Sequence, residues 1–206
     1  MTLEAAMRQV VNPAFSEDGK LLPSWRPSFG KGMADWWAEA CWVLDFGAGL
    51  GRVAREVLLA TRTTHVVAYE PDGALRGWTL PYVACGPVEE AGAAPPKARD
   101  GHEALWRRLH LAALPFDFQG IAFDGALTVT VLQHFSAERR GEAAEVLARA
   151  VRPGGTLLTL ERAKADDHGR TLDALLARDG PFAVVRRRRI GEGEWGMHEE
   201  VLWTRR

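Results

Sequence analysis

The chain has 206 residues, of which 47% are hydrophobic, and its 26 Lys and Arg nearly balance 27 Asp and Glu, for a formal net charge of −1. That is enough apolar content to bury one full core, and the near-neutral surface gives no global field to recruit nucleic acid or an anionic membrane. The apolar stretches fall far short of a bilayer span, MTLEAAMRQVV has no signal-peptide core, and Cys41 and Cys85 make neither a disulfide framework nor a metal-ligand spacing, so a soluble cytoplasmic protein without a metal is expected.

Residues 1–40 read as an N-terminal arm with cap helices. NPAFSEDGKLLPSWRPSFGKG is rich in turn formers, and MADWWAEA is a short helix leading into the strand CWVLDF. A glycine turn follows, then GRVAREVLLA with Val53, Val57 and Leu58 on one helical side. HVVAY is a short buried strand ending at Glu70, and PDGALRGW opens another helix with Pro71 or Asp72 near its start. Between Leu80 and Phe118 two readings stand. Either LPYVACG is the third strand and DGHEALWRRLHLAAL an extra helix, or RRLHLAA is the strand; EEAGAAPPKARDG is a loop in both.

FDGALTVTV reads as the next strand, followed by a helix with Ser136 as N-cap and an apolar face of Ala143, Val146, Leu147 and Ala150. RPGG stops that helix, TLLTLE is a strand, and RTLDALLAR is a helix before the strands FAVVRRRRI and MHEEVLWT. The alternation from Trp42 to Leu160 predicts a doubly wound α/β sheet, mostly parallel, with helices on both faces. GEGEWG is too short for a crossover helix, so the closing pair is expected to be an antiparallel hairpin. Glu192, Glu194, Glu199 and Glu200 in that hairpin are expected to neutralise the arginine run RRRR, which counts against RNA as a partner.

In an open α/β sheet ligands sit beyond the carboxyl ends of the strands. Gly47, Gly49 and Gly51 permit a sharp turn there and close approach of a ligand, and the N–H groups at the helix start favour an anionic group. The spacing departs from the dinucleotide fingerprint G-x-G-x-x-G, with Arg52 where its third glycine belongs. Asp45 discriminates further, because a carboxylate at the strand end repels a pyrophosphate and suits a ligand with an ammonium beside a carboxylate.

At this point DFGAGLG, Asp45 to Gly51, resembles the first motif of the class I S-adenosylmethionine-dependent methyltransferases. YEPD is similar to the end of that family's second strand, LPFDFQGIAFDGALTVTVLQHF to its fourth strand, and VRPGGTLLTLE to its fifth. The ordered matches run from Val43 to Glu161. The resemblance implies a seven-stranded Rossmann-like methyltransferase fold, with residues 41–206 as the S-adenosyl-L-methionine-binding core and an insertion around 86–118. It implies methyl transfer to a small-molecule acceptor by in-line displacement, leaving S-adenosyl-L-homocysteine. Asp45, Gly47, Ala48, Gly49 and Gly51 are expected at the methionine end, Glu70 at the ribose with Pro71 and Asp72 beside it, and Thr128 against the cofactor. For the adenine, His110 and Glu89 both stand as candidates.

His134 is the candidate acceptor-side base, with His198 a second. The nearby TVTVLQHF lacks the Asn- or Asp-Pro-Pro-aromatic motif that the family's DNA-base enzymes carry. Trp25 and Trp37, with Phe29 and Trp36, are expected to wall an acceptor, and Arg26 or Lys31 to reach a carboxylate. Two other readings remain in contention: a cofactor-binding regulatory or scaffold protein without catalysis, and an RNA methyltransferase.

Overall fold

The computed structural model describes residues 42–85, 103–162, 172–178, 180–190 and 198–206. The arm with Trp25, Trp37, Arg26 and Lys31, the loop around Glu89, and the turn carrying Glu192 and Glu194 lie outside the described residues. In chain order the elements are β1 (Trp42–Phe46), α1 (Arg52–Ala60), β2 (His65–Tyr69), α2 (Gly73–Cys85), α3 (Glu103–Trp106) and β3 (Leu109–Ala112). Then come β4 (Phe123–Val129), α4 (Ala137–Ala150), β5 (Val151–Arg162), β6 (Phe182–Ile190) and β7 (His198–Arg205).

The strands form one seven-stranded sheet in the order β3-β2-β1-β4-β5-β7-β6. Neighbours from β3 through β5 pair in parallel, while β7 runs antiparallel to both β5 and β6. The hairpin expected from the short connection is therefore present, with β7 filling the place between β5 and β6. Strand order reverses between β1 and β4, which opens a crevice at their carboxyl ends.

Each central strand is apolar on both faces, as a sheet covered on both sides requires. Val43 packs with Val53, Val57, Leu58 and Val83 from α1 and α2. Its neighbour Leu44 points the other way, into a cluster with Ala143 and Leu147 of α4 and Trp203 of β7. Ser136 caps α4 as expected, its hydroxyl accepting from Arg139 N at 3.3 Å. Among the described residues no helix is long and apolar enough to cross a membrane.

The middle of the chain takes the second of its two readings. LPYVAC belongs to α2, which buries Leu75, Thr79, Tyr82 and Val83 at helical spacing and holds Pro81 within it. The third strand is Leu109–Ala112, inside the stretch 86–118 read as an insertion. Arg108 aligns it. Its guanidinium donates to Leu58 O at 2.7 Å and to Thr61 O and Thr64 O at 3.0 Å each, closing the carboxyl end of α1, while its own carbonyl accepts from Val66 N.

The arginine run lies on the edge strand β6 and is largely paired. Arg186 and Arg188 both bond the buried Glu200, and Arg187 bonds Glu199 and Asp173. Glu199 and Glu200 thus serve as expected; Asp173 is an acid the strand pattern did not suggest.

Between β4 and β5 the pairing jumps from Phe123↔Val151 to Gly125↔Thr156, so Arg152-Pro153-Gly154-Gly155 bulge opposite Asp124. Asp124 secures the bulge with one oxygen, accepting from Arg152 Nε at 2.7 Å, and the start of β1 with the other, accepting from Trp42 N at 2.9 Å. A Cβ on Gly155 would stand 2.8 Å from Arg152 O and 2.9 Å from Asp124 O, both backbone atoms that cannot swing aside. Gly155→Ala is therefore expected to lower stability by about 1–3 kcal/mol, the usual cost of overpacking, in denaturant unfolding; an unchanged midpoint would refute this account of the bulge.

Candidate functional site

The site grows from the carboxyl end of β1. α1 starts at Gly51, which has no capping side chain, and its first turn holds no acid. Asp45 supplies the missing acceptor from the strand, its Oδ2 taking the Ala54 N–H at 3.1 Å. Only 2% of Asp45 is exposed. Burial raises its pKa to about 7, and the Glu70 charge adds to that rise while the Ala54 N–H opposes it.

Gly47 and Gly51 lie in the left-handed region, at φ +81° and +77°. A Cβ on Gly47 would meet Val131 Cγ2 at 2.5 Å, and one on Gly51 would meet Thr79 Cγ2 at 2.6 Å. The absent side chains therefore make room for protein neighbours, where the sequence suggested room for a ligand. The loop amides also differ from expectation. Gly47 N and Ala48 N both donate to Tyr69 O at 2.9 Å, Gly49 N donates to Glu70 Oε2 at 2.8 Å, and Gly51 N donates to Ala48 O. The first three donors stitch the loop to the end of β2 and the fourth closes the loop on itself, so none of the four faces outward toward an anion.

Glu70, at that end, is buried and accepts Gly49 N on one oxygen and Asp72 N at 2.9 Å on the other. Burial raises its pKa, with the two amides opposing. Each carboxylate oxygen has two lone pairs, so both retain acceptor capacity. Asp72 is exposed, and its Oδ1 takes Ala74 N and Leu75 N at 2.8 and 3.2 Å. It caps α2 and stands beside Glu70, whose Oε1 accepts its N–H, with its own carboxylate turned to the helix start.

Thr128 is corrected. It is fully buried within β4, its hydroxyl donates to Glu161 Oε1 at 3.0 Å, and it has no place on the cavity wall. Glu161 is a residue the sequence reading passed over. It ends β5, is 4% exposed, and also accepts Val131 N and Leu132 N on Oε1 and Gln133 N on Oε2. Burial raises its pKa to about 7 against these four donors. The signal was present: TLLTLE places an acid after an apolar strand, the same pattern that marked Asp45 in WVLDF.

A cavity of about 690 Å³ opens where these strands end. Asp45, Gly47, Ala48, Gly49, Glu70 and Pro71 line one side of it; Gly51 lies behind the wall. His134, from a 3-10 turn after β4, stands on the wall together with Gln133, Phe135, Arg139, Arg162 and His198. The His134 ring is exposed, and its Nε2 lies 3.3 Å from Gln133 Nε2, an amide donor, so it accepts there as the Nδ1–H tautomer. His198 is buried at the start of β7.

His110 is elsewhere. It is the second residue of β3, its ring nitrogen 3.1 Å from that of His65 and its ring beside Trp42, at the amino end of β1. That end is opposite the cavity, so His110 is not an adenine contact. Among the described residues no group of three or more His, Cys, Asp or Glu is arranged to hold a metal ion.

No model of a protein family matches the sequence, and no curated protein does. Solved structures are similar. An O-methyltransferase family protein from Burkholderia thailandensis superposes with a TM-score of 0.64 at 20% identity, over 82% of this chain and 52% of that one, so the chain spans about half its length. The N-methyltransferase NodS from Bradyrhizobium japonicum WM9, in complex with S-adenosyl-l-homocysteine, gives 0.69 at 12% identity over 98% and 97%. A 1,6-didemethyltoxoflavin-N1-methyltransferase, also from Burkholderia thailandensis, gives 0.60 at 22% over 89% and 78%. Strand order, the inserted antiparallel β7 and these superpositions agree: the chain has the fold of the class I S-adenosylmethionine-dependent methyltransferases.

Proposed function

We propose that the chain is an S-adenosyl-L-methionine-dependent methyltransferase acting on a small-molecule acceptor. One observation carries the reading: two buried carboxylates, Asp45 and Glu70, end adjacent strands and line one cavity on either side of the glycine loop. The residues fit the cofactor. Asp45 has one oxygen engaged by Ala54 N and the other available to an ammonium, and Glu70 keeps lone pairs for a vicinal diol. A diphosphate would meet two acids and amides already bonded to Tyr69 and Glu70.

When bound, the cofactor supplies a methyl group on a sulfonium sulfur. The chain's own part is to hold and orient. Asp45 takes the amino end, Glu70 the ribose hydroxyls, and the loop after β4 presents Gln133 and His134 to the acceptor side. His134 is assigned to take up a proton at Nε2 from an oxygen or nitrogen nucleophile, giving up its 3.3 Å contact with Gln133 Nε2 as it does so. Similar proteins named for O- and for N-methyl transfer support both kinds of acceptor.

Calorimetry with S-adenosyl-L-methionine and S-adenosyl-L-homocysteine tests the first half, and absence of binding at millimolar concentration rejects it. Transfer of labelled methyl to members of a metabolite panel tests the second. Asp45→Asn keeps an acceptor for Ala54 N and removes the charge, so it is expected to weaken cofactor binding about tenfold or more, the scale of one charge-assisted hydrogen bond. Unaltered affinity in this variant would remove Asp45 from the site.

The pH dependence has a definite sign. The Asp45 pKa rises on folding from 3.8 to about 7, so between those values the empty folded protein holds a proton that the unfolded chain has lost. This group's contribution to stability is thus greatest below the unfolded value and falls as pH rises to about 7. An ammonium selects the ionised form, so cofactor affinity is expected to climb with pH up to about 7, by up to about tenfold per unit, with proton release on binding. Calorimetry in buffers of different ionisation enthalpy reads that proton; a pH-independent affinity with no release contradicts the assignment.

A further inference from the structure

We propose that Glu161 is a positioning residue: by gathering the amides of the loop after β4, it sets that loop against the glycine loop and aims His134 into the cavity. The inference rests on reading this cavity as the reaction site, but its geometry is independent of that reading.

β4 is followed directly by Thr130, a β-branched residue at φ +57°, in a region that such side chains rarely adopt. Strain of this kind persists only where the surroundings over-determine it. Thr130 N is fixed to Leu160 O at 2.8 Å, and beyond it three consecutive amides, Val131, Leu132 and Gln133, converge on Glu161 at 3.3, 3.2 and 3.1 Å. Thr128 Oγ1 is the fourth donor, at 3.0 Å. Gln133 answers from the loop side, its Oε1 accepting Arg162 N at 2.7 Å, so β5 and the loop are tied in both directions.

Two consequences follow for the site. Val131, held by this clamp, fills the space where Gly47 would carry a Cβ. His134 is reached through a turn closed by His134 N on Val131 O at 3.0 Å, so the clamped residue also sets where the ring emerges. Glu161 touches neither the cavity nor the His134 ring; it acts through the loop backbone.

The charges on neighbouring elements leave the carboxylate to these donors. Glu199, its register partner on β7, turns to Arg187, and Glu200 turns to Arg186 and Arg188. Arg162 and His198 pair across the next register position, and His134 lies beyond Gln133. The influences on Glu161 are burial and its four hydrogen bonds, which together leave its pKa at about 7. The four donors hold the Glu161 pKa below where burial alone would set it, so a loop that lets go while the carboxyl stays buried leaves a group that binds its proton more tightly; against that open form, loop order is expected to decline as pH falls through about 7.

The test is amide hydrogen exchange on the full chain without cofactor, as protection of residues 131–133 relative to α4. In the wild type this relative protection is expected to fall as pH drops from 8 to 6. Glu161→Gln sets an amide NH₂ against backbone donors. It is expected to speed exchange at 131–133 at least tenfold, to abolish the pH dependence, and to leave α4 unchanged. Thr128→Val, a second variant that keeps the carboxylate, removes a donor that lowers the Glu161 pKa and so should move the midpoint to higher pH. Unchanged protection in Glu161→Gln, equal loss across α4 and β5, or an unmoved midpoint in Thr128→Val overturns the proposal. S-adenosyl-L-homocysteine affinity is measured on the same samples, and Glu161→Gln is expected to weaken it at least threefold through Val131 and Gly47. Failure of the wild type to bind that compound defeats the cofactor reading alone, since the exchange data do not depend on it.

Discussion

A carboxylate buried at the end of a parallel strand is costly unless backbone N–H groups meet it, and this molecule is organised around three such meetings. Asp45 at the end of β1 receives the first turn of α1, Glu70 after β2 receives the glycine loop and the start of α2, and Glu161 at the end of β5 receives the loop after β4. Each acid converts an irregular stretch into a fixed one by giving its amides a common acceptor. Burial is tolerated because the donors are backbone groups that themselves need partners. The crevice walls are thus loops whose amides share buried acceptors.

The same three acids show how much was legible in the sequence. A charge inside WVLDF contradicts its surroundings and marks Asp45, and the end of the strand HVVAY marks Glu70. Glu161 repeats the contradiction in TLLTLE, but no glycine turn follows it directly to mark a binding loop. Thr128 and Asp72 fell on plausible positions, but a strand threonine has two faces and an acid before a helix has two uses. In both cases the partner that decides the matter, Glu161 for one and the α2 amides for the other, is set by tertiary structure.

The strand pattern carried the fold well where both faces of a strand are covered, and the hairpin was readable from the brevity of its connection. It left the third strand open between two readings because LHLA is short and half exposed, with its two outer residues buried and its two inner ones facing solvent. What fixes that strand is Arg108, whose side chain reads the end of α1, far away in sequence. No local pattern signals such a contact. The glycines were located correctly but explained only in part, since the contacts that exclude a side chain at Gly47 and Gly51 come from Val131 and Thr79.

That last contact has an implication for how such a protein can change. Val131 and the missing side chain of Gly47 are competitors for one volume, though one belongs to the opening turn of the domain and the other to the far side of the crevice. Bulk gained at either place has to be surrendered at the other, so drift in the two segments is yoked. Any reshaping of the loop after β4 at Val131 is therefore limited by the glycine turn across the crevice.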